Sequence, residues 1–95
     1  MDSYATSENT KELGIEMYTL KPYAEAGSFE DLAIARQRLV WWLATHGMTN
    51  GLIYKESGLA GKILHENGIW IWSPKGTRTT YKVNPTNGNL MGKIE

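Results

Sequence analysis

Residues 66–83 read Glu66-Asn67-Gly68-Ile69-Trp70-Ile71-Trp72-Ser73-Pro74-Lys75-Gly76-Thr77-Arg78-Thr79-Thr80-Tyr81-Lys82-Val83. Asn-Gly is a two-residue hairpin signal, Ile and Trp alternate behind it, Pro-Lys-Gly marks a second turn, and Thr, Tyr and Val follow as strand formers. Strands joined by such short turns can only pair antiparallel, so this run commits the chain to a β-meander. A two-residue Asn67-Gly68 loop sets Glu66 opposite Ile69, and hence His65 opposite Trp70, Leu64 opposite Ile71 and Ile63 opposite Trp72. A three-residue Pro74-Lys75-Gly76 loop, with Gly76 left-handed, sets Ser73 opposite Thr77, Trp72 opposite Arg78 and Trp70 opposite Thr80.

That register sorts the side chains. One face carries Ile63, His65, Trp70, Trp72, Arg78, Thr80 and Lys82, and the other carries Leu64, Ile69, Ile71, Tyr81 and Val83. The aliphatic face is expected to pack on a helix, leaving the aromatic and basic face open. A four-residue loop at Pro74 would reverse the last strand and place Tyr81 and Val83 beside the tryptophans, which would then be core.

The helix is expected over about 28–46. Ser28 can cap it, Glu30 and Asp31 suit the positive end of its dipole, and Gly47 can end it in a left-handed conformation. Leu32, Ala35, Leu39, Val40 and Leu43 recur at helical spacing and form the stripe that faces the sheet. Trp41 and Trp42 point about 100° apart; Trp42 is the core residue of the two, and Trp41 lies at the margin, one turn from Arg38. Before the helix, Ile15–Leu20 reads as an edge strand ended near Pro22. Between Met48 and Gly61 four glycines at 47, 51, 58 and 61 surround the short apolar run Leu52-Ile53-Tyr54, which reads as one more strand and a turn. Short helices over 50–57 and 59–66 would instead give a winged helix-turn-helix, at a cost of about 1 kcal/mol per helical glycine. Leu90, Gly92 and Ile94 alternate with polar residues in a last strand. The fold class is therefore α+β, one main helix packed on an antiparallel meander of four or five strands, with residues 1–13 a mobile N-terminal tail and 14–95 a single domain.

With 95 residues, the chain buries roughly 60–65% of the surface its unfolded form exposes, enough for one core. No cysteine is present, which removes disulfide frameworks and thiolate metal sites and suits a reducing compartment. The start of the chain contains no apolar run of the secretory kind, and no segment is long enough to span a bilayer, so a cytoplasmic protein without a membrane partner is expected. Formal net charge is zero, yet residues 1–47 hold four basic and seven acidic side chains and residues 48–95 six basic and three acidic.

Chemistry-bearing patterns are scarce. His46 and His65 lie too far apart for a local metal motif, and each is explained structurally, His46 at a helix end and His65 mid-strand. No Gly-rich loop leads into a helix with Lys-Ser or Lys-Thr, and no nucleophile, base and acid are set at catalytic spacing. Catalytic residues, metals and cofactors are therefore not expected. The function expected is non-enzymatic recognition of a macromolecule through Trp70, Trp72, Arg78 and Lys82, with Lys75 and His65 beside them and Trp41 as a second contact. Trp and Arg dominate protein interfaces, whereas flat rings beside cations also stack bases and hold phosphates. A neutral chain ranks a protein partner above nucleic acid, as in the small inhibitors and adaptors of phages and mobile elements. The alternative is a sheet-based or winged-helix nucleic-acid-binding regulator, and a homodimer through the C-terminal edge strand or Trp41 is also expected.

Overall fold

The structure is a computed structural model that describes residues 17–94; the expected tail over residues 1–13 lies outside the described residues. Along the chain come β1 (Tyr18–Lys21), a 3-10 turn (Ala24–Ala26), β2 (Ser28–Phe29), α1 (Leu32–Thr45), β3 (Asn50–Lys55), β4 (Gly58–Glu66), β5 (Ile69–Pro74), β6 (Thr80–Val83) and β7 (Leu90–Ile94). These strands form one antiparallel sheet in the order β2-β1-β3-β4-β5-β6-β7. One helix on an antiparallel meander is the expected α+β architecture, with seven strands in place of four or five.

Several boundaries move for identifiable reasons. Ser28 does not cap the helix, because it pairs with Thr19 in β2. The cap is Asp31, whose Oδ1 accepts the Ala33 N–H at 2.8 Å. The two-residue β2 lies outside β1, so β1 is not an edge strand. The winged-helix alternative is overturned, since residues 50–55 and 58–66 are strands. Their glycines, costly in a helix, are accommodated in the sheet.

The first hairpin forms in the expected register, with Glu66 opposite Ile69, His65 opposite Trp70 and Ile63 opposite Trp72. Positive φ at both Asn67 (52°) and Gly68 (81°) gives the turn the twist that two-residue hairpins require. The second hairpin corrects the expected register. Trp72 pairs with Tyr81 and Trp70 with Val83, three residues beyond the expected partners. The connection takes up Lys75–Thr79, and the Thr77 hydroxyl bridges it by contacting the Pro74 and Thr79 carbonyls at 3.4 and 3.3 Å. An odd shift exchanges the faces of a strand. Tyr81 and Val83 therefore join the tryptophans on the helix side, and Lys82 moves to the far side with Leu64 and Ile71.

The core lies between α1 and this face. Ala35, Leu39, Val40 and Leu43 from the helix meet Leu20, Ile53, Ile63, Trp72 and Val83 from five strands. Trp72 is only 4% exposed. Gly61 provides its seat: a Cβ there would stand 2.6 Å from the indole Cη2 and 2.7 Å from the Ser73 carbonyl oxygen. Replacing Gly61 with Ala must push the ring or the β5 backbone away. Gly61→Ala is expected to reduce the unfolding free energy by about 1–3 kcal/mol, read as a lower urea midpoint, while Lys62→Ala next to it on the opposite face stays within about 0.5 kcal/mol.

Candidate functional site

Helix α1 has one face in the core and one toward solvent. Ile34, Arg38 and Trp41 follow one another at spacings of four and three, which stacks them along the outer face. Ile34 is 44% exposed and Trp41 55% exposed. Large apolar side chains at such exposure, grouped on one helix face, are the unusual feature of this surface. Trp41 also borders a groove of about 260 Å³ lined by Gln37, Arg38 and Pro85. The ring and the aliphatic stem of Arg38 supply apolar area, and the guanidinium and the Gln37 amide supply polar groups.

The wall opposite the helix is held in place by a buried cation. Arg36, 7% exposed, donates from Nε to the Gly88 carbonyl at 2.8 Å, and its guanidinium lies 5.4 Å from the centre of the Trp72 ring. Desolvation lowers the Arg36 pKa, with Asp31 and Tyr18 acting in the opposite direction; the ordinary value lies so far above neutrality that the group remains charged. Beside it, Gln37 Nε2 donates to the Thr86 carbonyl at 2.8 Å. Gly88 (φ 78°) presses its backbone onto the helix, where a Cβ would overlap the Ala33 carbonyl. Two helix side chains and one close approach thus fix loop 84–89, and with it Pro85 across from Trp41.

At the other end of α1, Tyr23 stacks on Trp42 (centroids 5.3 Å, 15°) and Trp42 on His46 (4.0 Å, 21°), while Tyr23 also meets Trp41 at 6.4 Å in a tilted geometry. His46 Nδ1 lies 2.8 Å from the Trp42 carbonyl oxygen at the helix end. Two rings thus shield Trp42, whereas Trp41 stays exposed.

The expected binding residues do not form one surface. Trp72 belongs to the core, and the cation over its ring is Arg36, not Arg78. Trp70 is half-buried on the helix side and stacks on His65 at 4.2 Å, 18°, the cross-strand partner expected for it. Lys82, which was to stand beside Trp70 and Trp72, points from the opposite face; Trp70 and Lys82 meet only at the sheet end, around a depression of about 180 Å³ that Pro85 and Met91 also border. Lys75 and Arg78 are exposed in the β5–β6 loop. Of the seven, Trp41 alone stands well exposed as an aromatic. Gln37 and Pro85 were not foreseen, because their proximity depends on the Arg36 and Gln37 bonds across 52 and 49 residues.

Among the described residues no three His, Asp or Glu side chains are grouped to hold a metal ion, and no helix is long and apolar enough to cross a membrane. Comparison with protein-family models, with curated proteins and with solved structures found no match to this chain.

The loop clamp generates a measurable expectation. Arg36→Leu leaves the Gly88 carbonyl without its charged donor and is expected to cost about 1.5–3 kcal/mol. Faster amide exchange at Gly88, whose N–H is bonded to the Asn84 carbonyl at 2.7 Å, would report release of the loop; unchanged exchange would assign the loop's order to Gln37 and the Gly88 contact alone.

Proposed function

We propose that this chain is a small non-enzymatic binding protein, an inhibitor or adaptor, that recognises a protein partner through the outer face of α1 centred on Trp41. The observation that carries this reading is the 55% exposure of Trp41 beside a groove with a fixed opposite wall. An indole left half in water gains most by entering a partner's apolar pocket, at roughly 25 cal/mol per Å² of apolar area covered. Ile34 and the Arg38 stem extend the apolar strip along the helix, and the Arg38 guanidinium and Gln37 amide give the rim directional groups. Trp and Arg at the centre of a patch are the residues whose truncation costs most at protein interfaces, at least about 2 kcal/mol for an anchor. A pre-formed groove also keeps the ordering cost of binding low.

The test uses the full chain as bait, identifies a captured protein, and then titrates the purified partner calorimetrically. Trp41→Ala, which removes no core contact, is expected to retain the wild-type unfolding midpoint and to weaken binding by roughly 30-fold or more. Lys82→Ala, on the far side of the sheet, is expected to bind as wild type. Equal affinity of Trp41→Ala and wild type would sink the proposal.

A further inference from the structure

We propose that the sheet face turned away from α1 is a second binding surface, one that takes single-stranded nucleic acid. Alternation from the core residues defines this face. Because Leu20, Ile53, Gly61, Ile63, Trp72, Tyr81 and Val83 point to the helix side, Lys21, Leu52, Tyr54, Lys62, Leu64, Ile71 and Lys82 point to the other. The helix, the aromatic stack at Tyr23 and loop 84–89 all pack on the core side. Among the described residues no element covers the far face.

Its cations form a track. Lys21 lies opposite Leu52, which lies opposite Lys62; one row further, Leu64 lies opposite Ile71 and Ile71 opposite Lys82. With neighbouring strands about 4.8 Å apart and residues about 3.4 Å apart along a strand, Lys21 and Lys62 are separated by about 10 Å straight across the sheet, and Lys82 lies about 12 Å from Lys62, one row further along the strands. All three lysines are exposed. The ammonium groups of Lys62 and Lys82 have no carboxylate partner among the described residues, and Lys21 Nζ lies 5.1 Å from the centre of the Tyr54 ring. Glu66 stands at the hairpin corner of this face, beyond the track. The neutral charge of the whole chain conceals this: the face sets three cations, Lys21, Lys62 and Lys82, against one anion, Glu66.

Between the cations lie the half-buried apolar side chains Leu52 and Leu64 and the more deeply buried Ile71, with the half-buried Tyr54 at one end. A polymer that repeats a negative charge and carries planar, weakly polar rings matches that alternation, because phosphates can follow the lysines while bases lie on the apolar steps and on the Tyr54 ring. A flat sheet face has nothing to insert into a duplex groove, which favours an unpaired strand. This surface is independent of the Trp41 groove.

Fluorescence anisotropy of a labelled 15-nucleotide oligothymidylate, titrated with the full chain from 50 to 200 mM NaCl, tests the proposal. Three phosphate contacts on a single strand give a slope of log K against log salt of about −2, or roughly a 20-fold loss over that range. Lys62→Ala and Lys82→Ala are each expected to weaken binding at 50 mM and to make the slope shallower by about 0.7. Tyr54→Leu is expected to weaken binding at every salt concentration with an unchanged slope, and Trp41→Ala to leave it untouched. Absence of binding at 50 mM NaCl, or binding that neither lysine substitution changes, overturns the proposal. Displacement by polyglutamate as effective as by unlabelled oligothymidylate overturns it in favour of an acidic protein ligand.

Discussion

The seating of Trp72 on Gly61 decides most of what this molecule presents to its surroundings. A strand glycine removes one side chain from the inner face of β4, and the largest residue of β5 occupies the space. Once that ring points inward, alternation fixes the side of the residues of β5 and β6 and of β4 from Gly61 onward, beyond the irregularity at Ala60. Trp70, Tyr81 and Val83 must then face the helix, and Lys62, Ile71 and Lys82 must face away. The guanidinium of Arg36 lies over the same ring and extends the constraint to the helix and loop 84–89. Core, groove wall and the sheet face turned away from the helix thus derive from one packing contact.

The local parts of this arrangement are legible in the sequence, and the parts that depend on tertiary contacts are not. Asn67-Gly68 sets its hairpin because the turn dihedrals and the strand alternation act within a few residues. The helix stripe from Leu32 to Leu43 is readable for the same reason, as is the division of labour between Trp41 and Trp42. The β5–β6 connection is different: Pro74-Lys75-Gly76 suits a tight turn, but a five-residue link closed by the Thr77 hydroxyl allows Tyr81 and Val83 to be buried. Glycines at 51 and 61 look like interruptions until the helix and Trp72 are set against them. Arg36 on the helix gives no sign that it is buried, since its acceptor lies 52 residues away. The charge asymmetry between the two halves is visible from composition alone, whereas the grouping of Lys62 and Lys82 with Lys21 on one face follows from the register.

Among the described residues a single α-helix covers one side of a seven-stranded sheet, so the two sides differ in chemistry. On the helix side, solvent meets an outer strip of Ile34, Arg38 and Trp41 and the rim made by Pro85. On the other, among the described residues, exposed lysines are separated by half-buried Leu52 and Leu64 and by buried Ile71. At the β7 edge, Leu90 and Met91 are exposed beside unpaired backbone groups, and Gly92 (φ 145°) and the irregular pairing between Lys82 and Val83 interrupt the regular ladder there. Such irregularity, with Lys93 next to it, makes a poorer template for strand addition than a straight apolar edge.

The strand order has a kinetic side. From β3 to β7 every strand pairs with its immediate successor, so each step closes a short connection, whereas β1 reaches β3 only across the 28 residues that hold the 3-10 turn, β2 and α1. Loop-closure entropy favours the short steps, and the meander is the part of the chain with the lower barrier to forming first. Until α1 docks, that meander exposes Ile63, Trp70, Trp72 and Val83 together on one side. The residues that make the finished core are therefore the ones most open to wrong association during folding, and timely arrival of the helix is what protects them.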